Sequence, residues 1–137
     1  MPRRLWHWGD VSFYLTVLVF AVWQRPHTWT LVVALIIAGV AFPLWIVARR
    51  QLGSAFSFSA QARYLVTTGL YSRFRHPVYL FGSIAVLASV LALQVWWLLV
   101  LAIVAQPITI VRAIREERVL EAAFGEEYAR YRQRTWF

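Results

Sequence analysis

From Trp29 to Ala48 the chain runs for twenty residues without a charge. At about 1.5 Å per residue, this predicts a helix of about 30 Å, the thickness of a hydrocarbon core. Pro43 interrupts the run, as helices in a membrane bundle tolerate. An earlier charge-free stretch, Val11 to Trp23, is thirteen residues long, and reaching back to Leu5 makes it nineteen. The extension brings in His7 and Asp10, expected near an interface, where charge is less costly than at mid-bilayer. Gln24-Arg25-Pro26-His27 reads as the turn between the two spans.

Pro77 to Val111 is a third apolar tract, thirty-five residues without Asp, Glu, Arg or His. As one straight helix it would be about 52 Å long, too long for a single crossing. The pattern therefore predicts a hairpin turning near Gln94, with Trp96 and Trp97 as interface anchors. No Gly, Pro or Asn marks that turn, so one long tilted helix is the alternative. The expected fold class is all-α: a single domain over 1–137, with four membrane spans at about 5–23, 28–48, 77–93 and 95–112.

Two segments fall outside the spans. The loop from Arg49 to His76 carries Phe56, Phe58, Tyr64, Tyr71 and Phe74, an aromatic content that argues for order. The C-terminal segment 113–137 holds five of the six acids, and Val119, Leu120, Ala123 and Phe124 recur at helical spacing. An amphipathic segment is expected there, broken into two short helices at Gly125.

Composition sharpens this reading. Of 137 residues, 61% are hydrophobic and 15% charged, with a mean hydropathy of +0.58. Soluble domains run at about 45–50% apolar and about 25% charged. The eight Trp fit a membrane boundary. The absence of Cys excludes disulfides, thiolate metal sites and a thiol nucleophile.

The net charge is +8, and all fourteen basic residues are Arg. Arg-rich segments alternate with Arg-poor ones along the chain: Arg3 and Arg4, then Arg25 alone; Arg49 to Arg75, then no charge near Gln94; Arg112 to Arg134 last. By the positive-inside rule, both termini and the 49–76 loop are expected to be cytoplasmic. Membrane orientation accounts for the basicity, and no nucleic-acid partner is expected. Residues 1–4 are too few and too lightly charged for a typical signal peptide.

Common catalytic signatures are missing: there is no GxGxxG, P-loop, HExxH or GxSxG. The three His are scattered, so no metal site is expected. The dense chemistry lies in Tyr71-Ser72-Arg73-Phe74-Arg75-His76-Pro77-Val78-Tyr79. Pro77 suits the first turn of the third span. Its unpaired N–H groups, with Arg75, form a place for a carboxylate or phosphate. A hairpin at Gln94 returns the chain to the same membrane face, bringing Glu116-Glu117 to the depth of Arg75-His76. Neighbours on a helix diverge, so one carboxylate is expected to face the bundle and the other solvent. An anion-binding corner opposite an acidic one suits a zwitterionic or cationic small molecule.

These segments resemble a family. Leu65-Val66-Thr67-Thr68-Gly69-Leu70-Tyr71, Arg75-His76-Pro77-Val78-Tyr79-Leu80, Glu116-Glu117 and Phe124-Gly125-Glu126-Glu127-Tyr128 look like the isoprenylcysteine carboxyl methyltransferase and phospholipid methyltransferase superfamily. The likeness covers about residues 54–133. Leu70 stands where that family often has Pro, and Gly82 follows Tyr79 by three residues where two is commoner.

The resemblance implies an integral membrane enzyme that uses S-adenosyl-L-methionine. The acceptor would be lipophilic or lipid-linked, such as an isoprenylcysteine carboxylate or a lipid. It implies catalytic roles for Arg75 and Glu117, and cofactor contacts from His76, Tyr79, Leu80, Gln106, Glu116 and Glu117. Arg75 and the Pro77 helix start would hold an anionic part; His76 and Tyr79 would line the adenosine or methionyl pocket; Gln106 would add a buried hydrogen bond. The rivals are a membrane reductase using a nicotinamide cofactor and a non-enzymatic small membrane protein. On the plain reading, Arg73, Arg75 and His76 are headgroup anchors, the glutamates a solvated face, Tyr71 interface packing and Gln106-Pro107 a kink.

Overall fold

The computed structural model describes residues 5–24, 28–53 and 65–136, with side chains from Val11 onward. The expectations for the 25–27 turn, Phe56, Phe58 and Tyr64 fall outside the described residues, and those for His7 and Asp10 concern side chains outside the description.

Among those residues the protein is all-helical. Helix α1 runs Leu5–Gln24, α2 Trp29–Leu52, α3 Pro77–Leu93, α4 Trp96–Val104, α5 Gln106–Phe124 and α6 Glu126–Arg134; a 3-10 turn covers Gly69–Ser72. Two helices are long and apolar enough to cross a membrane: α2, and the nearly continuous α4–α5 rod from Trp96 to Phe124. Helix α1 from Val11, and α3, are shorter apolar helices.

Small residues hold the bundle together. Ala34, Ala38, Ala41 and Ala48 line the buried face of α2, and Ala85, Ala88, Ser89 and Ala92 that of α3. Side chains this small let the two axes approach closely. Gly82 extends the seam: a Cβ there would come within 3.0 Å of the Trp45 indole nitrogen. The Trp45 ring carries the Arg49 guanidinium 5.0 Å from its centre on one side and meets Tyr14 of α1 at 5.6 Å. The buried Ser89 hydroxyl donates to the Ala85 carbonyl at 2.8 Å, so the seam conceals no unpaired serine.

The hairpin turns at Gln94, which adopts a left-handed conformation with φ 55°. That conformation costs a non-glycine residue about 1–2 kcal/mol. The Gln94 side chain offsets it by donating to the hydroxyls of Thr28 and Thr30 at 2.7 and 3.0 Å. The turn is thus tied to the start of α2 by a residue that ordinary turn signals overlook.

Beyond the turn, no residue of α4 or α5 is buried. Val100, Val104 and Ile108 are each more than 60% exposed, an apolar surface of the kind that marks a membrane or protein contact. Trp96 and Trp97 stand exposed at the hairpin. The rod breaks only at Ala105, ahead of Gln106-Pro107. The first of the two short helices expected from 113 is therefore not separate: it is the end of α5, which begins at Gln106. Gly125, with φ 48°, ends α5 and starts α6. Helix α6 has Glu126 and Glu127 in its first turn and Arg132 and Arg134 in its last, which matches its dipole at both ends.

Candidate active site

Three pieces of chain meet at the N-terminus of α3. The first is the 3-10 turn. Gly69 takes φ 64°, and a Cβ there would collide with the Gln51 side chain. From the end of α2, Gln51 accepts a hydrogen bond from the Leu70 N–H at 2.8 Å. Tyr71 is buried beneath the turn.

The second piece is α3 itself, with Pro77 at its first position and His76 as the flanking residue. The His76 side chain is only 7% exposed. Leu80, one turn in, donates its N–H to the His76 carbonyl at 3.0 Å.

The third piece is the C-terminal part of the chain. Glu117 on α5 reaches Arg75 Nη1 at 3.1 Å and His76 Nε2 at 3.2 Å. Glu116 Oε2 lies 4.0 Å from His76 Nδ1, and Glu116 and Tyr79 line one crevice. The depth argument from the sequence therefore places these groups correctly.

The expected division of the glutamates, one inward and one to solvent, is wrong. Both face the site, at 32% and 22% side-chain exposure. Neighbouring positions on a helix do diverge, but the imidazole sits in the wedge between them and presents one ring nitrogen to each. Of the two contacts, the one from Nε2 to Glu117 is within hydrogen-bond distance.

The final residues brace the arrangement. Tyr128 and Tyr131 are the buried residues of α6. The Tyr131 hydroxyl donates to the Tyr71 carbonyl at 2.7 Å. Beyond the helix, the Trp136 N–H donates to the Arg73 carbonyl at 2.7 Å and its carbonyl accepts from the Arg75 N–H at 3.3 Å. This short parallel bridge at Phe74 fixes the backbone on either side of Phe74.

Burial leaves two polar atoms here without a hydrogen-bond partner: Arg75 Nε and the Tyr128 hydroxyl. Burial, and then the Glu117 charge, pushes the Tyr128 phenol up to about 12. Burial, and then the Glu116 carboxylate, raises the Tyr71 phenol far above its ordinary value. Both therefore remain neutral hydroxyls at physiological pH.

Of the residues singled out from sequence, Arg75, His76, Tyr79, Glu116 and Glu117 come together. Leu80 stands on the next turn of α3. Gln106 does not join them: its side chain donates to the Ala102 carbonyl at 3.0 Å, at the break in the rod. It is eleven residues, about 16 Å of helix, from Glu117. Arg73 is exposed and contributes its carbonyl. The sequence does not signal Gln51 or Trp136, and Tyr71, expected as interface packing, lies within the site. The tyrosine spacing in α6 was the only available signal of the brace.

A small crevice of about 20 Å³ opens among Leu52, Tyr71, Arg75, His76, Val78, Tyr79 and Glu116. The described residues contain no group of side chains able to hold a metal ion. In comparisons with known proteins, residues 27–127 match the family model described as phospholipid methyltransferase. The match reaches further back, into α2, than the likeness seen in the motifs, and stops just before Tyr128. No curated protein matches the chain significantly.

Proposed function

This chain belongs to the phospholipid methyltransferase family, and on that premise we propose that it is an S-adenosylmethionine-dependent methyltransferase acting on a lipophilic, membrane-embedded acceptor. The observation that carries the reading is the meeting of Arg75, His76 and Glu117 within 3.2 Å. It sets a cation and a carboxylate side by side at the polar end of an apolar helix pair.

The residues present fit the cofactor. Its methionyl end is a zwitterion. Arg75, with a buried Nε–H still unbonded, suits the carboxylate; Glu117 suits the amino group. His76 and Tyr79, whose rings lie 5.8 Å apart, offer flat surfaces to the remainder. When bound, the cofactor supplies an electrophilic methyl on a positively charged sulfur. Such a displacement needs alignment more than proton transfer. The chain's part is accordingly to hold and orient. Pro77 fixes the helix start, Glu117 steadies the Arg75 guanidinium, and the Trp136 bridge steadies its backbone.

The proposed setting is a single unit of four spans, close to α1, α2, α3 and the upper part of the α4–α5 rod. The termini and the 49–76 loop would share the cytoplasmic side. The alternation of arginines supports this layout, as do the exposed apolar faces of α1, α2 and α4. An acceptor dissolved in lipid would reach the site from the bilayer.

Calorimetric titration of detergent-solubilised protein with S-adenosylhomocysteine tests the proposal, with a reduced nicotinamide dinucleotide as the rival ligand. Binding of the first and transfer of labelled methyl into a lipid extract are expected. Binding of the dinucleotide alone would replace the reading with reduction.

A further inference from the structure

A second crevice, of about 520 Å³, shares no wall residue with the one beside Arg75. Its volume falls in the range of about 300–1,000 Å³ that ligand sites occupy. One wall is α6, which contributes Glu127, Arg130, Tyr131 and Arg134. Steps of three, four and seven residues set these on a single helix face. The facing wall comes from the chain around the Gly69 turn, with Thr67 before it and Ser72 at its end.

The charge on this face is two guanidiniums against one carboxylate. Among the described residues, neither arginine has a carboxylate within ion-pair distance, so Glu127 does not neutralise them. Arg130 commits only its Nε, to the Glu126 carbonyl at 3.4 Å. The hydroxyl protons are mostly taken: Ser72 donates to the Gly69 carbonyl at 2.7 Å and Tyr131 to the Tyr71 carbonyl at the same distance. Thr135, at the end of α6, donates to the Tyr131 carbonyl at 3.0 Å, which covers one of the carbonyls through which a helix end repels anions. Thr67 is the wall hydroxyl with a proton left to give, among the described residues.

A cation would meet two arginines, and a neutral ligand would leave their charge unused. Two guanidinium forks and a hydroxyl call for more acceptor oxygens than a carboxylate has, and a phosphate supplies them. Residues four apart on a helix stand about 5–6 Å apart at Cβ, so both arginines reach one such group. We infer that this crevice binds a phosphate group, held by Arg130 and Arg134 with Thr67 donating from the facing wall. Glu127, a turn before Arg130, repels it and seats it toward the Arg134 end. Two sources carry this chemistry, the headgroup of a membrane lipid and a soluble phosphate ester. The inference goes beyond the methyl-transfer reading and uses none of its residues. Its bearing on that site runs through Tyr131, which lines the crevice and holds the Tyr71 carbonyl: a bound phosphate spans α6 and the turn, and so fastens the one to the other.

Calorimetry on the full-length protein in an uncharged detergent, at constant ionic strength, tests the site. The probes are dioctanoyl phosphatidic acid, dioctanoylglycerol, which has the chains without the phosphate, and glycerol phosphate, which has the phosphate without the chains. The crevice variants are Arg130→Gln, Arg134→Gln and Thr67→Val. Arg132→Gln, on the same helix but outside the crevice, removes the same charge and serves as the control. Phosphatidic acid should bind and dioctanoylglycerol should not. Each arginine substitution in the crevice should weaken binding about tenfold, the effect of losing a charged hydrogen bond. Thr67→Val should weaken it by less, and Arg132→Gln should leave it unchanged. Glycerol phosphate binding with the same dependence on Arg130 and Arg134 assigns the site to soluble esters; phosphatidic acid binding alone assigns it to lipid headgroups. Unfolding midpoints of the empty variants, expected to match the parent, show that each is folded. The inference is overturned if neither phosphate probe binds, or if the crevice variants bind like the parent. It is equally overturned if Arg132→Gln costs as much as Arg130→Gln and Arg134→Gln, the mark of a diffuse basic surface. S-adenosylhomocysteine binding, measured on the same samples, reports on the methyl-transfer reading separately.

Discussion

The hydroxyl of Tyr131 donates a 2.7 Å hydrogen bond to the main-chain carbonyl of Tyr71, sixty residues earlier in the chain. Both partners are buried, and the bond ties α6 to the turn that leads into Arg75. Tyr131→Phe leaves that carbonyl unsatisfied, so a loss of about 1–3 kcal/mol in stability is expected. Thermal unfolding in detergent measures it. An unchanged midpoint would show that α6 is not fastened at this point.

The same residue gives stability an alkaline limit. Burial, and then its neighbour Tyr128, pushes the Tyr131 phenol from 10.0 up to about 12. The unfolded chain ionises first, so the stabilising contribution is complete below about pH 10 and is lost as pH rises toward about 12. In Tyr131→Phe the decline over that window should be shallower than in the parent, read by unfolding at stepped alkaline pH.

Gly69 has a left-handed backbone and no room for a Cβ against Gln51. Gly69→Ala should cost at least about 1–2 kcal/mol from the backbone alone. It should also dislodge the Gln51 bond to Leu70. Gln51→Ala removes that bond without straining the backbone and should cost about 1 kcal/mol. Equal, negligible effects of both substitutions in the unfolding assay would mean the turn is held by other contacts.

Arg75→Lys distinguishes a binding fork from a headgroup anchor. Lysine keeps the charge but not the guanidinium geometry. Membrane insertion and folding should persist while most methyl transfer is lost, measured as turnover of labelled S-adenosylmethionine beside a stability control. Glu117→Gln should weaken cofactor binding by about 1–3 kcal/mol. Full activity in Arg75→Lys would return the motif to the anchor reading.

The four-span layout predicts that reporters fused after Pro26, Gln61, Gln94 and Phe137 read outside, inside, outside, inside. Opposite readings at Gln61 and Phe137 would place Glu117 on the wrong face for His76.

Much of this was legible because apolar run length and helix rise set depth, and depth alone brings residues 75 and 117 level. The Gly125 break and the Pro77 helix start were equally plain, since each rests on a local backbone rule. What escaped depends on distant partners. Gln94 turns left-handed only because Thr28 and Thr30 wait across the bundle. Gln51 matters only because the Leu70 N–H donates to its side chain. The glutamate pair converges only because an imidazole fills the wedge between them, a fact no single-helix wheel contains. Gln106, read as a site residue, is taken up by the carbonyl of its own helix.

The Trp136 bridge bears on biosynthesis. A nascent chain emerging residue by residue can seat α1, α2 and α3 along their alanine seam while most of the last third is still unmade. The backbone beside Arg75 gains its two main-chain bonds only once Trp136 has been made. A chain cut short of that residue would keep the alanine seam between α2 and α3 and lose the clasp that holds Arg75 beside Glu117.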